Sequence, residues 1–269
     1  RAKWLGEMRI LFLGDVVGRP GRRAVGAVLK GLRTSDGIEF VIANAENASG
    51  GKGLDPNAAE ELYDAGVDVL TSGNHIWQHR QIVPYIEENR RLLRPLNFPS
   101  GVPGVGWAVR EVGKSSVSVG VVNLIGRVFM GPADCPFQAA SDIVDSLRGQ
   151  ANVIVVDMHG EATSEKVAMG WFLDGRVSAV VGSHTHVQTA DETILPRGTA
   201  YLTDAGMCGP EESVLGVKTE QVIRRFLTQM PTRFEVASGR VLVQGAIIEV
   251  DETSGRATAI RRIRERVAA

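Results

Sequence analysis

Two histidines one residue apart, His184 and His186, follow an apolar run in SAVVGSHTHVQTA, residues 178–190. The chain has only five histidines, and a strand ending AVVGSH needs neither of these two for packing. In an extended backbone residues i and i+2 point to the same side, about 6.6 Å apart, so both imidazoles are expected to face one site. Other apolar runs end in the same way. RILFLGD ends in Gly14-Asp15, EFVIANAEN in Glu46-Asn47, VDVLTSGNH in Gly73-Asn74-His75 and ANVIVVDMHG in His159-Gly160. Taken singly these have plain structural explanations: His184 and His186 as turn residues, His159 as a satisfied histidine, Asn47 and Asn74 as turn chemistry. Five such ends together outweigh those explanations and point to a metal centre. A bridging carboxylate can hold two ions about 3.5–4 Å apart, clamping the attacking and leaving oxygens of a phosphoryl group. Mixed nitrogen and oxygen ligation suits Mn²⁺, Fe or Zn²⁺ better than Ca²⁺ or Mg²⁺. Such a centre also makes hydroxide available near neutral pH.

Positioning these groups requires a sheet whose strands end together. Apolar runs at 9–15, 39–47, 67–75, 116–126, 151–160 and 176–186 read as strands, and helical periodicity marks 21–33, 55–66 and 162–175. Asp55 followed by Pro56 is a helix N-terminal signature. The segment from 233 onward turns strand-rich and reads as antiparallel hairpins around SG turns. The β-then-α alternation predicts a layered α/β domain with helices covering both faces, and ligands in such folds sit outside the carboxyl ends of the strands.

A hydrophobic content of 43% and a charged content of 23% place the chain among globular proteins. One domain spanning residues 8–269 is expected, with residues 1–7 read as an upstream or non-native extension. The net charge of −1 supplies no global field toward polyanions, so any such binding must be local. Cys135 and Cys208 match neither a zinc spacing nor a disulfide framework, which favours structural roles and a cytoplasmic setting. No apolar run is long enough to span a membrane, and RAKWLGE lacks the apolar core of a signal peptide.

The ordered set GDVVG, NAEN, GNHIW, MHGE and GSHTH resembles the motif series of the calcineurin-like metallophosphoesterases. The longer stretches FLGDVVGRPGR, ANAENASGGKGL, TSGNHIW and GSHTHVQTAD resemble one branch of it, the YmdB-like family, from about Met8 to the C-terminus. Val17 stands where the superfamily has histidine, Glu46 where it has a bridging aspartate, and Ile76 where an acid follows GNH; in this branch those departures are the expected state. The resemblance implies an α/β/β/α sandwich and two metal ions per chain. Asp15, Glu46, Asn47 and His186 would hold one ion; Glu46, Asn74, His159 and His184 would hold the other. His75 is left as the general acid, and an unligated imidazole can donate a proton near neutral pH. The activity implied is hydrolysis of cyclic nucleotides, 2′,3′-cyclic ones in particular, by metal-bound hydroxide. A phosphomonoesterase, or a nucleotide- or RNA-binding regulator with little turnover, are the alternatives. Only Asp15 and Glu46 among the ligands are anionic, so two divalent ions and a hydroxide leave the site net positive and attractive to phosphate. Iron or manganese is the expected metal. RNA as substrate or target, and a homo-oligomer, are compatible with the sequence.

Two loops are candidate substrate contacts. NASGGKGL (47–54) is either a plain connection or an amide nest with Lys52 near a phosphate. Residues 124–137, with Arg127, Phe129 and Phe137, form either a long surface loop or a lid that stacks a base. His79 reads as a helix-surface histidine outside the site.

Overall fold

The computed structural model describes residues 6–113 and 117–267. Strand β1 (Glu7–Leu13) begins one residue ahead of the expected boundary at Met8; residues 1–5, most of the expected extension, lie outside the described residues. The chain continues through β2 (Asp15–Val16), α1 (Gly18–Ser35), β3 (Phe40–Asn44), α2 (Pro56–Asp64), β4 (Val69–Thr71), α3 (Ile82–Glu88), β5 (Trp107–Glu111) and β6 (Ser118–Ile125). Then follow α4 (Pro136–Leu147), β7 (Val153–His159), α5 (Thr163–Leu173), β8 (Ala179–Ser183), β9 (Thr193–Ile194), β10 (Ala200–Leu202), β11 (Met207–Pro210), α6 (Thr219–Thr228), β12 (Val241–Asp251) and β13 (Ala257–Val267).

Two mixed sheets stack face to face. In the first, β1, β3 and β4 are parallel, and β12 runs antiparallel to β1. One edge of β12 pairs with β13 along its length, the other with β1 and then β11, which pairs β2 in turn. In the second sheet β6, β7, β8 and β10 are parallel, with β5 and β9 antiparallel at the edges.

The period-2 alternation of each strand divides the core. Ile10 and Phe12 of β1 pack between the sheets with Val119, Val121, Val153 and Val155. Leu11 and Leu13 face outward onto Val25 and Leu29 of α1 and Leu62 of α2. On β7, Ile154, Val156 and Met158 face Val144 of α4 and Met169 and Leu173 of α5. Both faces of each central strand are therefore apolar, which explains their near-continuous hydrophobic runs. The layering is the expected α/β/β/α sandwich of the calcineurin-like metallophosphoesterases. At α2, Asp55 caps the helix by accepting from the Ala58 N–H at 3.0 Å, with Pro56 in the first turn.

Several boundaries are tighter than expected, because strands end where pairing ends. The run 67–75 pairs only at Val69–Thr71, and 176–186 only at Ala179–Ser183. Of the expected hairpins, β12–β13 forms across the turn at 252–254. The earlier segment Arg233–Ala237 is not a strand; it contributes a single bridge, Val217 to Val236.

A buried ion pair joins α5 to the segment after β10 and holds the loop after β8. Lys166 of α5 is fully buried and donates to Asp204 Oδ2 at 2.7 Å. The same carboxylate accepts from the Thr185 N–H and hydroxyl at 3.1 and 2.8 Å, pinning the residue between His184 and His186. Replacing Lys166 with Met leaves Asp204 buried without its cation, and about 3–5 kcal/mol of stability should be lost. Urea unfolding of wild type and Lys166→Met checks this; a loss below about 1 kcal/mol would mean the pair contributes no more than a surface one.

Candidate metal centre

The carboxyl ends of strands from both sheets meet at one rim. Asp15 lies just past β1, Glu46 and Asn47 just past β3, Asn74 and His75 past β4, His159 at the end of β7, and His184 past β8. Glu46 occupies the middle and is fully buried. Its Oε1 lies 3.3 Å from His159 Nε2 and 3.2 Å from His75 Nδ1, and accepts from Asn47 Nδ2 at 3.1 Å. Its Oε2 accepts the His75 backbone N–H at 2.9 Å.

The contacts fall into two sets joined by Glu46. In one, His159 Nε2 lies 3.2 Å from Asn74 Oδ1 and 3.1 Å from His184 Nδ1. In the other, His186 Nε2 lies 3.6 Å from Asp15 Oδ1 and 3.1 Å from Asn47 Nδ2. Two features fit cations here. Ligand atoms of Glu46, His159 and His184 all lie within 4.8 Å of one another. Asp15 Oδ1 is buried and accepts no hydrogen bond among the described residues, an arrangement a bound cation would satisfy.

The histidine tautomers follow from their outer partners. His186 Nδ1 donates to the Leu215 carbonyl at 3.0 Å, which leaves Nε2 facing Asp15. His159 Nδ1 lies 2.9 Å from Ser183 Oγ, whose hydroxyl donates to Asp157 Oδ1 at 2.6 Å, and Nε2 faces Glu46. His184 turns Nε2 outward to Glu161, at 3.2 Å, and Nδ1 inward. One nitrogen on a fixing partner and the other on a shared cleft is the usual setting of a ligating histidine. His75 is arranged the other way. Its Nδ1 faces Asn47 Oδ1 at 2.8 Å, so the ring is oriented from the inside, and its Nε2 makes no hydrogen bond among the described residues.

The opening expectation about His184 and His186 is corrected in its geometry. They share a site, but not as alternate residues of an extended strand: β8 stops at Ser183, and both sit at positive φ, 99° and 63°. Left-handed backbone at two non-glycine residues is strained and needs the surrounding structure to hold it; Asp204 does so through Thr185, and Asp15 accepts the His184 N–H at 3.0 Å. Gly73 is required for a different reason, since a Cβ there would collide with His159 and Glu46.

Electrostatics hold the centre in the ionised form. Burial alone would raise the Glu46 carboxyl, but the His159 and His75 contacts outweigh it and hold it well below its usual range. Asp15 is likewise lowered, the His186 contact overcoming burial. Burial would lower His159, yet Glu46 brings it up to about 9. His184 is pushed down to about 4 by burial and by the neighbouring His159.

Lys52 and Arg127 are not brought into this cluster. Both are exposed, and their side chains make no hydrogen bond or ion pair among the described residues. The glycine-rich loop spends amides on itself: Ser49 N–H donates to Gly53 O and Lys52 N–H to Ser49 O. His79 closes a short 3-10 turn and bonds the Lys52 carbonyl at 3.1 Å, apart from the centre. Sequence reasoning missed Asn44, Asp157 and Ser183, which form a buried hydrogen-bonded group behind His159. The available signal was polarity inside otherwise apolar strands, Asn44 closing FVIAN and Asp157 within VIVVDMH.

A sequence model described as YmdB-like protein matches residues 11–263. The chain belongs to the YmdB-like family. A Bacillus subtilis (strain 168) relative named 2′,3′-cyclic-nucleotide 2′-phosphodiesterase is 46% identical over 256 residues, 95% of this chain and 96% of the relative. A crystal structure of a hypothetical protein from Thermus thermophilus superposes with a TM-score of 0.90 at 44% identity, covering 96% of this chain and 99% of that one. A structure described as a novel phosphatase from Mycoplasma pneumoniae superposes with a TM-score of 0.91 at 35% identity, covering 98% and 95%.

A cation entering beside His159 must displace the proton held there below about pH 9. Binding of Mn²⁺ at pH 7 is therefore expected to release at least one proton per chain, His186 being raised by Asp15 as well, with affinity rising as the pH rises toward that value. Calorimetry in two buffers of different ionisation enthalpy checks this; identical heats in both would overturn it.

Proposed function

We propose that this chain hydrolyses 2′,3′-cyclic nucleotides with two metal ions, iron or manganese, held on either side of Glu46. The phosphoric diester hydrolase class rests on the family and on the named activity of the 46% identical relative. One observation carries the two-ion reading. Asp15, Asn47 and His186 on one side, and Asn74, His159 and His184 on the other, share one buried carboxylate. When bound, the ions supply Lewis acidity toward the phosphoryl oxygens and acidify water at neutral pH.

The chain's own residues do the rest. Ser183 and Asp157 hold the His159 ring through Nδ1, and the Leu215 carbonyl holds His186. Asn47 Oδ1 and Glu46 Oε1 accept from His75 Nδ1–H, keeping the ring beside the centre with Nε2 open to substrate. His75, protonated at Nε2, donates to the departing ribose oxygen as the cyclic diester opens. Few anionic ligands and a buried setting make the site electropositive once loaded, which draws in a phosphodiester anion.

About two metals per chain are expected in protein loaded with Mn²⁺ or Fe²⁺, measured by elemental analysis. The His75→Ala variant should keep that content and lose about 10²–10⁴-fold in kcat on 2′,3′-cyclic AMP. Loss of metal together with activity would instead place His75 among the ligands, and undiminished kcat would remove it as the acid.

A further inference from the structure

An apolar cleft opens directly beside the proposed centre. It has a volume of about 280 Å³ and is walled by Trp77, Phe98, Val102, Ile125 and Pro132. Asn74 lines it too, the same residue whose Oδ1 faces His159 Nε2. Anything seated in the cleft therefore lies against a residue that also contacts the proposed centre. Ligand pockets run from roughly 300 Å³ upward, so this space suits a single ring system, not a whole nucleotide. Trp77 and Phe98 are half-buried, with ring centroids 6.4 Å apart and planes tilted by 35°.

The walls are anchored. Asn97, buried, donates through Nδ2 to the Ile125 and Asp134 carbonyls at 2.8 and 2.9 Å, and accepts from the Ile125 N–H at 2.9 Å. The Glu165 carboxylate accepts the Arg127 and Val128 N–H groups at 3.0 and 3.2 Å. The loop after β6 is thus tied at both ends, and the cleft it helps form with Pro132 is preformed. The aromatic residues expected in that loop do not line it. Phe129 points to solvent at 88% exposure, and Phe137 packs edge-on against Phe172 at 5.5 Å. The stacking surfaces come instead from Trp77, in the turn after His75, and Phe98.

We infer that this cleft seats the nucleobase of the substrate against Trp77 and Phe98, so that base recognition and cleavage meet at Asn74. The inference rests on the cyclic-nucleotide reading above. Aromatic stacking accepts any base, because every base has a π-face; the cleft should therefore recognise a base as such more than its identity.

The test compares 2′,3′-cyclic AMP with methyl riboside 2′,3′-cyclic phosphate, the same cyclic diester without a base, on metal-loaded enzyme. Trp77→Ala and Phe98→Ala should each lower kcat/KM for the nucleotide by about tenfold or more, mainly through KM. The base-free diester should be hydrolysed as by wild type, and metal content should hold. Trp77→Phe, which keeps a ring, should retain most of the nucleotide preference. Equal losses on both substrates, or no loss on either, would overturn the inference. Hydrolysis of neither substrate by wild type would sink the cyclic-nucleotide reading instead. The cleft is then judged by calorimetric binding of adenosine 3′-monophosphate: binding by wild type that Trp77→Ala abolishes supports it, and no binding by wild type overturns it.

Discussion

A carboxylate with no exposure to water, placed between imidazoles, is the constraint on which this site depends. Glu46 is fully buried, and burial works against its charge. It stays ionised because His159, His75 and Asn47 face it and the His75 amide donates to it. Every one of those neighbours arrives from a strand end, so the position of Glu46 is a property of both sheets at once. Remove the stacking of the sheets and the charge loses its His159 partner and its shelter.

The second requirement is rigidity at the loop after β8. Two histidines at positive φ do not hold that conformation by themselves. The buried Lys166–Asp204 pair, the Thr185 contacts to Asp204 and the Asp15 acceptor on His184 over-determine it. A polar cluster in the interior thereby sets the geometry at the rim. The same logic recurs behind His159, where Ser183, Asp157 and Asn44 form a hydrogen-bonded group with no access to solvent. Burial pushes the Asp157 carboxyl up to about 6, and it is tolerated because Ser183, Thr71 and Asn44 all donate to it. Interior polar groups here orient the side chains of the candidate metal centre instead of merely adding stability.

The two sheets divide the work. Asp15, Glu46, Asn47, Asn74 and His75 come from the first, and His159, His184 and His186 from the second. The first contributes both carboxylates, both asparagines and the proposed acid; the second contributes the imidazoles held by outer partners. The cleft beside Asn74 lies between the turn after β4 and the loop after β6, on the same seam. The proposed chemistry and the inferred base recognition thus share a boundary between the layers.

Residue types and order in the sequence alone determined the layered α/β class, the five polar strand ends and the grouping of Asp15, Glu46, Asn47, Asn74, His75, His159, His184 and His186. They did so because strand period and strand-end chemistry are local, and local patterns survive in one dimension. That the Lys52 and Arg127 side chains stand exposed was not legible, for the complementary reason: a lysine in a glycine-rich loop or an arginine looks alike in sequence whatever its side chain meets. Which histidine nitrogen faces inward, why His184 and His186 converge through a left-handed turn, and how Asp157 and Lys166 act from within were decided only by the tertiary structure. So was the pairing of Trp77 with Phe98. Those features depend on partners far along the chain, 38 residues apart for Lys166 and Asp204 and 139 for Asn47 and His186, and contacts of that range exist only once the two sheets have packed.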